Sequence, residues 1–116
     1  MSEGLSVTNT ALAAQRQEIT AKFFHGLSDL TRLRIVELLL DEGEQNVSDL
    51  VASLGQSQGR ISNHLAYLRW CGYVDSRREG KFVYYRVSDP RVRQLIGLAH
   101  TMIADNAAAI LSCTRI

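Results

Sequence analysis

Apolar residues along this chain recur in two rhythms, and the change between them falls at Gly72. Before it they return every three or four positions, the spacing of amphipathic helices. Leu12, Ile19 and Phe23 predict a first helix over about residues 9–24. Leu27 to Leu30 is a break, with Ser28 or Asp29 as the cap of the next helix. TRLRIVELLLDEG is that second helix, with Leu33, Val36, Leu39 and Leu40 as core positions and Gly43 free to take the conformation that ends it. NVSDLVASLG is a short third helix, capped by Asn46 with Asp49 three residues on. SQGRISNHLAYLRWCG is a fourth, capped by Ser57, with Ile61, Leu65 and Leu68 toward the core and Gln58, Arg60, Ser62 and Asn63 on the wetter side. Past Gly72 the residues turn β-type. Tyr73 and Val74, then Phe82, Val83, Tyr84, Tyr85 and Val87, flank a tight Glu79-Gly80 turn. Pro90 after Asp89 opens a last helix over 90–112, striped by Val92, Leu95, Ile96, Ala99, Ile103, Asn106 and Ile110.

Two short helices followed by a hairpin predict a mainly α fold with a small β-hairpin, a winged helix-turn-helix in a single domain 1–116. Residues 46–71 are the helix-turn-helix, whose second helix lies in the DNA major groove, and 73–88 are the wing. A core of this size does not require so long a final helix. Residues 9–26 and 90–112 are therefore expected to form a homodimer, whose two-fold symmetry suits two DNA half-sites about one turn apart.

Charge sharpens the expectation. The net value of +1 conceals a division, because residues 57–86 hold six bases against two acids while residues 1–56 hold four against eight. Positive charge on one supersecondary unit is the footprint of a phosphate-binding face. Gln58, Arg60, Ser62, Asn63 and His64 are the candidates near the groove. Arg60 can bridge guanine, Gln58 or Asn63 can pair with adenine, and Ser62 and His64 can hold phosphates. Arg77, Arg78 and Lys81 are the candidates for the backbone beside the wing.

With no apolar run of membrane length, and no basic-then-apolar opening, the chain is expected in the cytoplasm. Two cysteines there are free thiols by default. No glycine-rich phosphate loop, HExxH or GxSxG is present, and His25, His64 and His100 are scattered, so no enzyme is expected. A protein-interaction module on the same fold is the rival from another class.

LSDLTRLRIVELL, VSDLVASLGQSQGRISNHLAYLRWCGYV and REGKFVYYRVSD together resemble the ArsR/SmtB family of metal-responsive bacterial repressors over about residues 20–112. The resemblance implies a homodimer that binds a palindromic operator, represses a transport or resistance gene, and releases DNA when metal binds. One family metal site needs two cysteines where Glu44 to Asp49 stand, and is absent. A second falls on Asp89, Arg91, Met102 and Asp105, where an arginine and a thioether replace imidazoles. The third, of the cadmium- and lead-sensing CmtR-like branch, falls on Tyr67, Cys71 and Cys113, so two thiols of three remain.

Cys113 continues the stripe of the last helix and Cys71 ends the recognition helix, so the two can meet from opposite subunits. Soft thiolates select soft ions. Two of them suffice for Hg(II), and Cd(II) or Pb(II) would need further ligands. A reversible disulfide between the same pair, or a regulator without an effector in which both thiols are structural, are the alternatives.

Overall fold

The computed structural model describes residues 6–113, with side chains from residue 11 onward; residues 1–5, half of the polar opening, and 114–116 lie outside the described residues. The elements run α1 (Ser6–His25), α2 (Leu30–Glu42), β1 (Gln45–Asn46), α3 (Val47–Leu54), α4 (Gln58–Cys71), β2 (Asp75–Glu79), β3 (Phe82–Arg86), α5 (Pro90–Ala104) and α6 (Ala107–Ser112). This is the winged-helix order, α3 and α4 forming the helix pair and β2 and β3 the wing.

Short-range polar contacts set the boundaries. Asp29 starts α2 by accepting from the Arg32 backbone N–H at 3.0 Å. Asn46 and Asp49 each accept from the other's backbone N–H, a reciprocal capping box that starts α3. Gly55 then takes a left-handed conformation at φ 68°, which lets the chain turn into α4, where Ser57 accepts from the Arg60 N–H.

The sheet order is β1-β3-β2, all antiparallel. Glu79 faces Phe82, so Gly80 and Lys81 are the two loop residues, and Gly80 supplies a φ of 62°. The wing therefore has a third strand that the sequence did not announce. It is only Gln45–Asn46, paired with Tyr85 and Tyr84, and two residues carry no alternation to recognise.

Ile35, Val36 and Leu39 of α2, Leu50 of α3, and Ile61, Leu65 and Leu68 of α4 form the core with Tyr73, Val74, Val92 and Ile96. Leu33 and Leu40, expected at the centre, pack only at its margin, and Ile35 takes the central position. The roll of α2 is fixed by the helices that cover it, which the spacing within one helix does not specify.

Two helices are poorly covered by their own chain. Every residue from 11 to 22 of α1 is exposed. Of the last apolar stripe, Val92 and Ile96 are buried and Leu95 is half-buried, whereas Ile103 and Ile110 face outward, as do Leu98, Met102 and Leu111 off the stripe. The single helix expected over 90–112 is in fact two. Asn106 leaves helical geometry at φ −132° and ψ 16°, and its side chain donates back to the Met102 carbonyl instead of capping α6. Such local bonding by asparagine competes with helix continuation, so Cys113 no longer follows the α5 stripe in phase.

Replacing Asp29 by alanine removes the α2 cap and is expected to cost about 0.5–2 kcal/mol, with Asp29→Asn largely retaining it. The Arg32 N–H holds the Asp29 carboxyl below its ordinary value. The charge-dependent part of the cap's contribution is accordingly complete above the pKa of the unfolded chain, about 3.9, and fades as pH falls through the lower native value. Denaturation of parent and alanine variant should show a gap that is constant near neutrality and narrows in acid, since a protonated carboxyl still offers an acceptor oxygen to the Arg32 N–H.

Candidate nucleic-acid interface and thiol site

Burial of Ile61, Leu65 and Leu68, each at 0% exposure, fixes which way α4 is rolled. Gln58, Arg60, Ser62 and Asn63 are consequently exposed on the opposite side. The first two turns of α4 thus present a guanidinium, two amides and a hydroxyl to solvent, a set able to bond base edges and phosphates. His64 is placed differently. Its side chain is 17% exposed, with Nδ1 3.4 Å from Arg32 Nη1 and Nε2 3.9 Å from Asp29 Oδ2. It faces the start of α2 and stands apart from the other four.

The three cations of the wing also separate. Arg78 is exposed, as is Lys81, whose Nζ lies 5.7 Å from the Phe82 ring centroid. Arg77 is engaged within the chain. Its Nε and Nη2 donate to the two oxygens of Glu44 at 2.8 and 2.7 Å, and Nη1 donates to Glu79 at 2.6 Å. It also lies over the Tyr84 ring at 5.0 Å. The Arg77 side chain holds the Glu44 carboxyl below its usual range. Glu44 thereby straps the wing to the segment before β1, a role without any sequence signature because the partners are 33 positions apart. At the wing's base Asp75 accepts from Ser88 and Arg86, and these bonds, the Ser88 hydroxyl foremost, lower its pKa.

Cys71 ends α4 beside the C-terminal end of α1. Its Sγ donates to the Lys22 carbonyl at 3.7 Å, and burial pushes the thiol up while Arg32 opposes that shift. The approach requires glycine at position 26, since a Cβ there would stand 2.9 Å from the Tyr73 ring and 3.1 Å from the Cys71 sulfur. Ile19, Phe23, Tyr67 and Trp70 surround the thiol in a shallow apolar hollow, with Trp70 83% exposed. Cys113, just past α6, is exposed. Among the described residues no three ligating side chains converge within one chain. Asp89 and Arg91, at two positions of another family site, bind each other at 2.7 Å, and the Arg91 side chain above all pushes Asp89 down to about 2.

Residues 29–76 match the family described as bacterial regulatory protein, arsR family. The chain is similar to a "Probable mercury resistance operon repressor" of Streptomyces lividans, 44% identical over 111 residues covering 96% of this chain and 88% of that protein. It is 41% identical to a CadC homolog of Staphylococcus aureus, a cadmium resistance transcriptional regulatory protein, over 73% of this chain and 70% of the other. Among solved structures, HlyU from Vibrio cholerae matches with a TM-score of 0.66 at 32% identity, covering 77% of this chain and 96% of that one. The winged fold and sequence kinship over nearly the whole length agree: the chain belongs to the ArsR family of bacterial regulatory proteins and is a transcriptional regulator, not an enzyme.

Proposed function

We propose that two copies of this chain bind operator DNA in the cytoplasm, repress transcription there, and let go on capture of a thiophilic heavy-metal ion, Hg(II) first and Cd(II) or Pb(II) after it. The observation that carries the DNA half is the outward face of α4, where Gln58, Arg60, Ser62 and Asn63 stand exposed on a helix whose other side is wholly buried. Arg60 reads guanine and the amides read adenine. Arg78 and Lys81 bring the wing to the phosphates, while Arg77, tied to Glu44 and Glu79, holds its shape. His64, turned toward Arg32, supports α4 from behind.

The homodimer is supported by what one chain leaves uncovered. Its radius of gyration is 17.2 Å, against about 13 Å for a compact chain of this length. The excess lies in α1 and the α5–α6 arm, whose apolar residues face outward. A second copy covering both would set two α4 helices side by side for adjacent half-sites.

The effector half rests on the two thiols and on the relatives. Proteins similar to this chain are named for mercury and cadmium resistance. Two thiolates meet the linear preference of Hg(II), and a bound ion would supply a soft cross-link between them. In one chain Cys71 and Cys113 belong to separate regions, which favours pairing across subunits. Cys71 also joins α4 to α1 through the Lys22 carbonyl, so loss of its proton on ion capture removes a contact between those helices. By linkage, DNA must weaken ion binding by the factor that the ion weakens DNA binding. A thiol disulfide switch is less favoured, because proteins similar to this chain are named for metal resistance.

Duplexes enriched from a random pool by the parent protein serve as probes. Lys81→Ala should weaken enriched and scrambled duplexes alike and flatten the salt dependence by about 0.9 in log–log slope, whereas Arg77→Ala should leave that slope nearly unchanged. Arg60→Ala should cost about 1–3 kcal/mol at one base pair only. Fluorescence anisotropy across a salt series reads all three. A protein that sediments as one subunit and ignores duplex in dilute salt contradicts the reading.

Hg(II) titrated into the protein–DNA complex should release the parent, and leave Cys71→Ser and Cys113→Ser bound. Indifference of the parent to Hg(II), Cd(II) and Pb(II) would rule out metal sensing.

A further inference from the structure

Arg32 of α2 is a point of convergence that neither the groove face nor the thiols explain. Its Nε donates to the Gly26 carbonyl at 2.9 Å and its Nη2 to the His25 carbonyl at 3.1 Å. These are backbone acceptors at the end of α1. Its Nη1 reaches His64 Nδ1 at 3.4 Å, and its guanidinium carbon lies 4.6 Å from the centroid of the Tyr67 ring. His64 and Tyr67 are three residues apart on α4, hence neighbours along one edge of that helix. An Nδ1 that accepts from Arg32 leaves the imidazole proton on Nε2, facing Asp29, the residue that caps the turn carrying Arg32. The His25 ring meets Tyr67 edge-on at 6.0 Å and closes the group.

Apolar burial fixes the roll of α4 but has no direction of its own. A planar fork bonded at three corners does have one. We propose that Arg32 is a positioning residue for DNA recognition: it sets the placement of α4 relative to α1, and through α1 the spacing between the two reading helices of a dimer. This rests on the proposed DNA binding and dimer. Arg32 is only part-exposed and each of its three side-chain nitrogens has a partner inside the protein, so it is not placed to neutralise a phosphate. Its loss should therefore act on specific binding, which depends on helix placement, and spare non-specific binding, which depends on charge.

The test uses full-length Arg32→Gln and Arg32→Lys, with the enriched and scrambled duplexes as probes, at a temperature where circular dichroism shows each variant fully folded. Both variants should lose about tenfold or more in affinity for the enriched duplex, a small part of the ~10³-fold or greater advantage of specific sites. Affinity for the scrambled duplex should change less than about threefold, with an unaltered salt slope. Lysine keeps the charge and loses the fork, so it should fail as glutamine does. Three results overturn the proposal. One is a parallel loss on both duplexes with a slope lower by about 0.9, the mark of a phosphate contact. Another is rescue by lysine, which makes charge alone sufficient. The third is unchanged discrimination in folded variants, which leaves Arg32 a purely structural residue. A parent that binds both duplexes equally overturns the DNA reading itself and this proposal with it, whereas a discriminating parent with indifferent variants overturns only the role of Arg32.

Discussion

A helix of fourteen residues laid on a small core can hide one side only, and α4 hides the side carrying Ile61, Leu65 and Leu68. Full burial of three large side chains is worth several kcal/mol, far more than any single surface contact. Rotating the helix to hide Arg60 or Asn63 would expose those residues and strand polar groups without partners. The outward polar face of α4 is thus a by-product of packing, present before any ligand arrives. The wing is built with the same economy of means: β2 and β3 continue the chain from α4 through Gly72, and the Arg77–Glu44 strap ties them back to β1.

Preorganisation of that kind explains why the charge pattern alone is a coarse guide. Nine cationic or histidine side chains lie between residues 32 and 86, yet they differ in what they are free to do. Arg77 and Arg86 are bonded to carboxylates, Arg32 to backbone carbonyls, and His64 is drawn toward α2. Arg34, Arg60, Arg69, Arg78 and Lys81 remain outward. Cations that fasten the scaffold and cations that meet a ligand have the same letter in a sequence.

Much of the fold was legible because it is written locally. Asp29, Asn46 and Ser57 each accept from a backbone N–H three residues ahead, so these caps were visible in short windows. The switch to β-type residues after Gly72 located the wing. What escaped is non-local. Gln45–Asn46 becomes a strand only because β3 runs beside it, and Ile35 displaces Leu33 from the centre because of how α3 and α4 sit on α2. The break at Asn106 escaped for the opposite reason: the apolar period continues across it while a single amide bonds backward. The outward position of Gln58, Arg60, Ser62 and Asn63 was anticipated by helical spacing, but the inward turn of His64 depends on Arg32, 32 positions earlier.

That break gives the end of the chain a distinct physical character. A six-residue helix with no side-chain cap is far below the length at which a helix holds itself in water. Its outward Ile110 and Leu111, 50% and 86% exposed, find no shelter on their own subunit. Order in α6 is therefore borrowed from whatever surface it lies on, and the proximity of the Cys113 sulfur to any second donor becomes an effective concentration set by assembly. On the proposed reading, in which that donor belongs to a second copy, dilution that separates the pair would dissolve the ligand geometry too, and the response to metal would depend on the protein's own abundance.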